Sequence, residues 1–333
     1  MRRVIVLLIL AGPTILPASE VEEREAIRQN VASLLMAKDY RELTRLSGLY
    51  RVGRERTSSG LLKLELYYQG IDAAMPESAS ADSEWQAHLD FIDSWQQLNP
   101  AEPAPYIAKA QVYLSRAWSY RGEGWASSVG FFDEFRYKQY TKKARDWLVE
   151  HKKAASIDPS YYPMLVHAYR GKSGSKSEAL AVLYEGMNRY PNFDPIYFRG
   201  AGFLSPKWYG SHEELADFVK LALENTRDER GTEIVARAYW AAGRGGDGNY
   251  YFTHHTTDRR TLRQSMIELV DNYPDQWNIT HMAAHACWLY DKNLTRHFME
   301  MLEEPVDRSK WLVADNYELC REFAGLAEAA AEE

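Results

Sequence analysis

The sequence predicts an all-α protein, and three observations support this prediction. From Ser19 onward, apolar residues recur every three or four positions, which is the period of an amphipathic helix. A Ser followed three residues later by Glu, the signature of a capping box, precedes a periodic run at Ser19, Ser175 and Ser211. Alternating strand patterns and hairpin turns of the Asn-Gly type are almost missing. We therefore expect about fourteen helices and essentially no sheet.

The first element, residues 1–18, has the organisation of a secretory signal peptide. Two arginines follow the initial Met, an apolar run covers 4–11, and Ala18 stands before an acidic stretch. The run is shorter than a membrane-spanning helix and is followed by a Gly-Pro pair, so an uncleaved anchor is the weaker alternative. We expect cleavage after Ala18, export to the periplasm or the medium, and no stable membrane insertion of the mature chain.

The rest of the chain is predicted to have two parts. Residues 19–80 should form an N-terminal helical segment, and the stretch 77–83, rich in Ser, Ala and Pro, is predicted to link it to a larger helical block, 81–333. The net charge of −7 argues against a nucleic-acid partner. Further helix starts are expected where a capping side chain precedes proline, at Asn99-Pro100, Asp158-Pro159 and Asp194-Pro195.

Within 81–333 the sequence contains a degenerate repeat of helical pairs. Ala179, Leu183, Gly186 and Pro191 follow one another at intervals of four, three and five residues, which is the spacing of the second helix of a tetratricopeptide repeat. The small residues let two helices approach closely, and the bulky one fills the groove between them. The pattern predicts tetratricopeptide-like helical hairpins stacked into a curved solenoid. An irregular helical domain is the alternative, because neighbouring pairs lack several consensus residues.

Four stretches of the chain also resemble a bacterial family of unknown function. They are 117–126 (Ala-Trp-Ser-Tyr-Arg-Gly-Glu-Gly-Trp-Ala), 204–211 (Leu-Ser-Pro-Lys-Trp-Tyr-Gly-Ser), 283–287 and 317–324. Members of that family are often exported and contain tetratricopeptide-like helical pairs. The resemblance covers about Trp85 to Leu326 and supports the same fold. It implies no activity and no catalytic residue, and Tyr209 stands where the family tends to have a second glycine.

The candidate binding residues are aromatic and arginine side chains in 113–140 and in the later Trp-Tyr-Gly turn. Aromatic rings interleaved with arginine are typical of recognition hot spots. Glycines in 122–130 break the helix, so several rings should be presented from a loop. The alternative is that these rings fill the inner face of the helical stack. The candidates are Trp118, Tyr120, Arg121, Trp125, Phe131, Phe132, Arg136, Trp208 and Tyr209.

Neither a metal nor an organic cofactor is expected. His281 and His285 lie four apart on one helix face, but a zincin would need Glu at position 282, where Met stands, and no third ligand is evident. The glycine run 243–248 follows a helix and lacks a Gly-Lys-Ser/Thr ending, so it fits a flexible insertion better than a phosphate loop. Cys287 and Cys320 are candidates for a disulfide in an exported protein, and two buried thiols are the equal alternative.

These observations favour a non-catalytic interaction or scaffold module that binds a protein or peptide segment on a concave surface. No catalytic residue is predicted, because Asp133 and Glu134 would diverge on a helix and no nucleophile motif is present. The first alternative is a carbohydrate-active or other envelope hydrolase with an aromatic-lined helical cleft. A weaker one is an envelope sensor that uses the region of His254 as a lid.

Overall fold

The computed structural model describes residues 19–122, 129–171, 174–243, 248–306, 308, 311 and 315–326. These ranges contain helices, turns and loops but no strand, with one isolated β-bridge between Arg56 and Leu62. They contain seventeen helices: α1 (Glu20–Met36), α2 (Tyr40–Gly53), α3 (Lys63–Ala73), α4 (Asp82–Leu98), α5 (Ala104–Arg121), α6 (Phe131–Glu150), α7 (Lys152–Ala155), α8 (Tyr161–Tyr169), α9 (Lys176–Arg189), α10 (Asp194–Phe203), α11 (His212–Arg230), α12 (Ile234–Ala242), α13 (Gly248–Thr253), α14 (Arg259–Asn272), α15 (Gln276–Trp288), α16 (Lys292–Met299) and α17 (Asp315–Ala324). The all-α prediction is confirmed. The expected signal peptide, 1–18, lies outside the described residues.

Two of the three expected capping boxes form completely. At Ser19 and Ser175 the hydroxyl accepts from the backbone N–H three residues on, and the Glu carboxylate there accepts from the Ser N–H. At Ser211 the hydroxyl accepts from the Glu214 N–H at 3.2 Å, but no return bond forms. The Glu214 carboxylate binds Lys176 instead, an ion pair between α11 and α9.

Of the three helix starts expected at proline pairs, the one at Asp194-Pro195 is confirmed, and the other two helices begin a few residues later. Asn99 is the C-cap of α4, and α5 begins only at Ala104. Helix α8 begins only at Tyr161, and the Asp158 carboxylate accepts from the Ser160 N–H just before it and from the Tyr68 hydroxyl in the core, each at 2.8 Å. Asp194 is the first residue of α10, but its carboxylate forms ion pairs rather than a cap.

The helices lie in a row with a second set packed on it. In the row α3, α5, α8, α10 and α12, each helix contacts the next, and α4, α6, α9, α11 and α14 pack against it. Two glycines permit the closest approaches. A Cβ at Gly186 of α9 would lie 2.7 Å from the Tyr162 ring of α8, and one at Gly200 of α10 would overlap Phe218 of α11. Ala179 and Leu183 are fully buried beside Gly186, as the repeat pattern predicts.

Residues 54–62, which we call the clasp loop, join the N-terminal segment to the C-terminal half of the molecule through an ion pair and hydrogen bonds. Within the loop, Arg56 forms an ion pair with Asp194 at 2.7 Å, and the Ser59 carbonyl accepts from Arg237 at 2.6 Å and from Asn278 at 3.0 Å. These partners lie in α10, α12 and α15. The first helices therefore close against the far end of the helix row.

A disulfide joins Cys287 of α15 to Cys320 of α17, with the two Cα atoms 5.7 Å apart. It ties the last described helix to the rest of the C-terminal half. None of the helices in the described part of the chain is long and apolar enough to cross a membrane.

Candidate binding groove

One long groove runs along the helix row. Its volume is about 1950 Å³, and its walls come mainly from α3, α5, α8, α10 and the turn after α10. Pockets for drug-sized ligands usually hold about 300–1,000 Å³, so this groove has room for a longer chain segment. The described lining is mixed, with aromatic rings, cations and a few carboxylates.

Five side chains, which we call the Trp118 cluster, form the centre of one wall: Trp118, Tyr137, His167, Arg170 and Trp208. The Trp118 ring lies edge-on to Tyr137 at 5.5 Å and to Trp208 at 6.1 Å between centroids. Its Nε1–H donates to His167 Nε2 at 2.8 Å. A ring nitrogen that accepts carries no proton, so this bond requires the Nδ1–H tautomer. Burial, with Arg199 and Arg170 nearby, lowers the pKa of His167 well below its usual value, which keeps the imidazole neutral at pH 7.

A tight turn after α10 brings Trp208 and Tyr209 into the groove. The Tyr209 N–H donates to the Phe203 carbonyl at 3.1 Å, and the Tyr209 ring stacks on that of Phe203 at 4.9 Å. A Cβ at Gly210 would overlap the Leu204 carbonyl, so only glycine fits there. The Tyr209 hydroxyl donates to the Arg170 carbonyl at 2.7 Å and ties the turn to the end of α8.

Arg170, the C-cap of α8, carries a positive charge into this wall. Its guanidinium lies 4.6 Å from the centre of the Trp208 ring, and Gly202 leaves the room for it, because a Cβ there would be 2.8 Å from Nη2. Burial and the nearby Arg199 lower the pKa of Arg170 to about 9, so the side chain is still a cation at pH 7. The described residues place no carboxylate in an ion pair with it.

Three carboxylates also line the groove: Glu65, Asp72 and Glu134. Asp72 accepts from the Ser115 hydroxyl at 2.7 Å, and Glu134 forms an ion pair with Lys138 at 3.0 Å. These two acids already have partners and come from different helices. The groove therefore presents both signs of charge.

Of the nine candidate residues, the structure brings four together along this groove: Trp118, Arg121, Trp208 and Tyr209. Tyr120 lies away from it and stacks on Tyr140 at 5.8 Å. At the start of α6, Arg136 is exposed, and Phe131 and Phe132 are 81% and 79% exposed. Trp125 lies outside the described residues.

Tyr137 belongs to the aromatic segment 113–140, but His167, Arg170 and Arg199 of the groove were not predicted. A signal for two of them exists in the sequence. His167 and Arg170 are three apart at the end of the strongly apolar helix α8, where polar side chains on one face indicate a water-filled surface.

The histidines considered as metal ligands pack instead against aromatic rings. His281 Nδ1 is bonded to the Trp277 carbonyl at 2.7 Å, and His285 stacks on Phe252 at 4.1 Å. Burial lowers the pKa of His285 to about 3. Groups of three or more His, Cys, Asp or Glu side chains suited to a metal do not occur among the described residues. Residues 244–247 of the glycine run lie outside them, and His254 stacks on His212 at 3.7 Å.

Comparison of the chain with protein-family models, with curated proteins and with solved structures finds no match. The resemblance to an exported bacterial family, and export itself, therefore stay predictions.

Proposed function

We propose that this protein is an exported, non-catalytic binding module whose groove holds a protein or peptide segment. The observation that supports this most is the Trp118 cluster, in which side chains from α5, α6, α8 and the turn after α10 converge on one groove wall. Tryptophan and arginine in a concave surface are the residues that most often carry binding energy in protein interfaces. The mixed lining gives an extended segment both apolar and polar contacts.

We further propose that the helical pairs form a tetratricopeptide-like curved solenoid, with the groove as its concave side. The row α3, α5, α8, α10, α12 and the second set packed on it fit this arrangement, as do the close approaches at Gly186 and Gly200. Solenoids of helical pairs commonly bind extended segments on the concave surface. The clasp loop would then hold the two ends of the row together.

Site-specific photo-crosslinking in cells tests the binding proposal. A photoreactive phenylalanine analogue replaces Met164, which lines the groove, and in a matched control it replaces Leu98, which is 69% exposed on α4. We expect a discrete crosslinked protein from position 164 and none from position 98. Equal crosslinking from both positions contradicts the proposal. Absence of crosslinks, together with turnover of a glycan by the purified protein, favours the hydrolase alternative.

A further inference from the structure

The cations of the groove come from successive elements of the fold. Arg121 ends α5, Arg170 caps α8, Arg199 lies in the second half of α10, and Lys207 lies in the turn that follows. The whole chain carries a net charge of −7, whereas the described lining of the groove has these four cations against three carboxylates. Cations near helix C-termini do offset the helix dipole, but that effect does not require them to share one groove.

Among these cations, Arg170 has the surroundings that would be most stabilised by a bound anion. Its Nε is buried and has no hydrogen-bond partner among the described residues. The charged group beside it is Arg199, a second cation. A largely buried cation without a counter-charge is unfavourable, and an arriving carboxylate would supply that charge.

The rings around Arg170 indicate what else the ligand carries. Trp208 lies under the guanidinium and Trp118 is edge-on to Trp208, so a carboxylate that reaches Arg170 would meet apolar surface beside it. A bare inorganic anion would leave these rings unused. A chain segment with carboxylates next to apolar side chains would use both.

We propose that the groove selects acidic peptide segments, with a ligand carboxylate bound by Arg170 and apolar ligand side chains packed on Trp118 and Trp208. This inference rests on the proposed function and names its ligand class. Acidic polysaccharides share the carboxylate but lack apolar side chains, and the structure favours the peptide for that reason.

Fluorescence anisotropy of labelled random copolymers with the chain from Ser19 tests the selection. We expect a Glu–Tyr copolymer to bind, a Lys–Tyr copolymer not to bind, and affinity to fall as salt is added. Arg170→Met should weaken binding roughly tenfold or more, and Arg170→Lys less. The control Lys220→Met changes an exposed cation on α11 and should leave binding unchanged. Circular dichroism checks that each variant is folded.

Four outcomes overturn the inference. Equal binding of the two copolymers, or an affinity untouched by Arg170→Met, removes the acidic selection. If Trp118→Ala still abolishes binding in that case, the groove remains a peptide site and only its charge preference is lost. Binding of polygalacturonate in place of the Glu–Tyr copolymer overturns the peptide assignment. If neither polymer binds and no crosslink forms from position 164, the proposed function fails as well.

Discussion

Asp194 is the residue through which the clasp loop holds the helix row, and Asp194→Asn tests that role. The carboxylate is 1% exposed and binds Arg56 of the clasp loop, with its two oxygens 2.7 and 3.3 Å from the guanidinium, and also Arg230 of α11. Asparagine keeps the shape of the side chain and removes its charge. Two partly buried arginines then lose their shared acid, and Arg230 keeps only its ion pair with Glu233.

The size of the effect follows from the pKa. Burial by itself raises the pKa of Asp194, but Arg230 and Arg56 overcome it and lower the pKa from 3.8 to about 2. That difference corresponds to about 2 kcal/mol of folding stability. Removing one partner of a buried ion pair usually costs about 3–5 kcal/mol. We therefore expect Asp194→Asn to lower the free energy of unfolding at pH 7 by about 3 kcal/mol.

The contribution of Asp194 to the free energy of unfolding should decrease as the pH is lowered. Because the folded pKa lies below the unfolded one, the contribution of Asp194 is complete above about pH 5 and is lost as the pH falls toward 2. Urea unfolding of the original chain and of Asp194→Asn, each at pH 7 and pH 3, measures this contribution. About half of the stability difference between the two proteins should be gone at pH 3. As a control, Glu42→Gln breaks an exposed ion pair with Arg45, which solvent screens, and should leave the free energy of unfolding nearly unchanged. If Asp194→Asn does not lower the free energy of unfolding at pH 7, or lowers it equally at pH 7 and pH 3, the Asp194 ion pairs do not have the proposed role.

Three other changes have expected outcomes. Arg170→Met should raise the free energy of unfolding in urea by about 1–2 kcal/mol, because it removes a largely buried cation that has no acid partner in the described part of the chain. A variant less stable than the original chain would show that the charge of Arg170 is not unfavourable there. Replacing Cys287 and Cys320 with serine opens a loop of sequence separation 33 and should lower the free energy of unfolding by about 3–4 kcal/mol in the same assay. An unchanged free energy would mean that the two cysteines are not bridged. Gly210→Ala forces a methyl group into the Leu204 carbonyl and should cost about 2 kcal/mol or more, and a neutral result would mean that the turn is not tight.

The helices could be predicted from the sequence because their signals are local. Periodicity and the capping boxes at Ser19 and Ser175 involve residues within a few positions of each other. At two of the proline pairs, the Asp side chain before the proline also binds a partner far away in the sequence. Asp194 binds Arg56, 138 positions away, and Asp158 binds Tyr68, 90 positions away. No short window of sequence contains that information.

The aromatic segment was predicted only in part. Composition identified it, but residues two apart on a helix point to different faces, and Trp118 faces the groove while Tyr120 stacks on Tyr140. His167 and Arg170 join Trp118 only because α8 packs beside α5. Which rings become a site therefore depends on the stacking of the helices and not on the density of aromatics along the chain.

The proposed ligand of the groove is an acidic peptide segment bound at the Trp118 cluster. The most direct measurement is a crystal structure of the chain from Ser19 with the segment captured by the crosslinker at position 164. The account predicts a ligand carboxylate within hydrogen-bond distance of Arg170 and apolar ligand side chains against Trp118 and Trp208. A segment bound on the outer helices, or one that lies in the groove with no acid near Arg170, would contradict it.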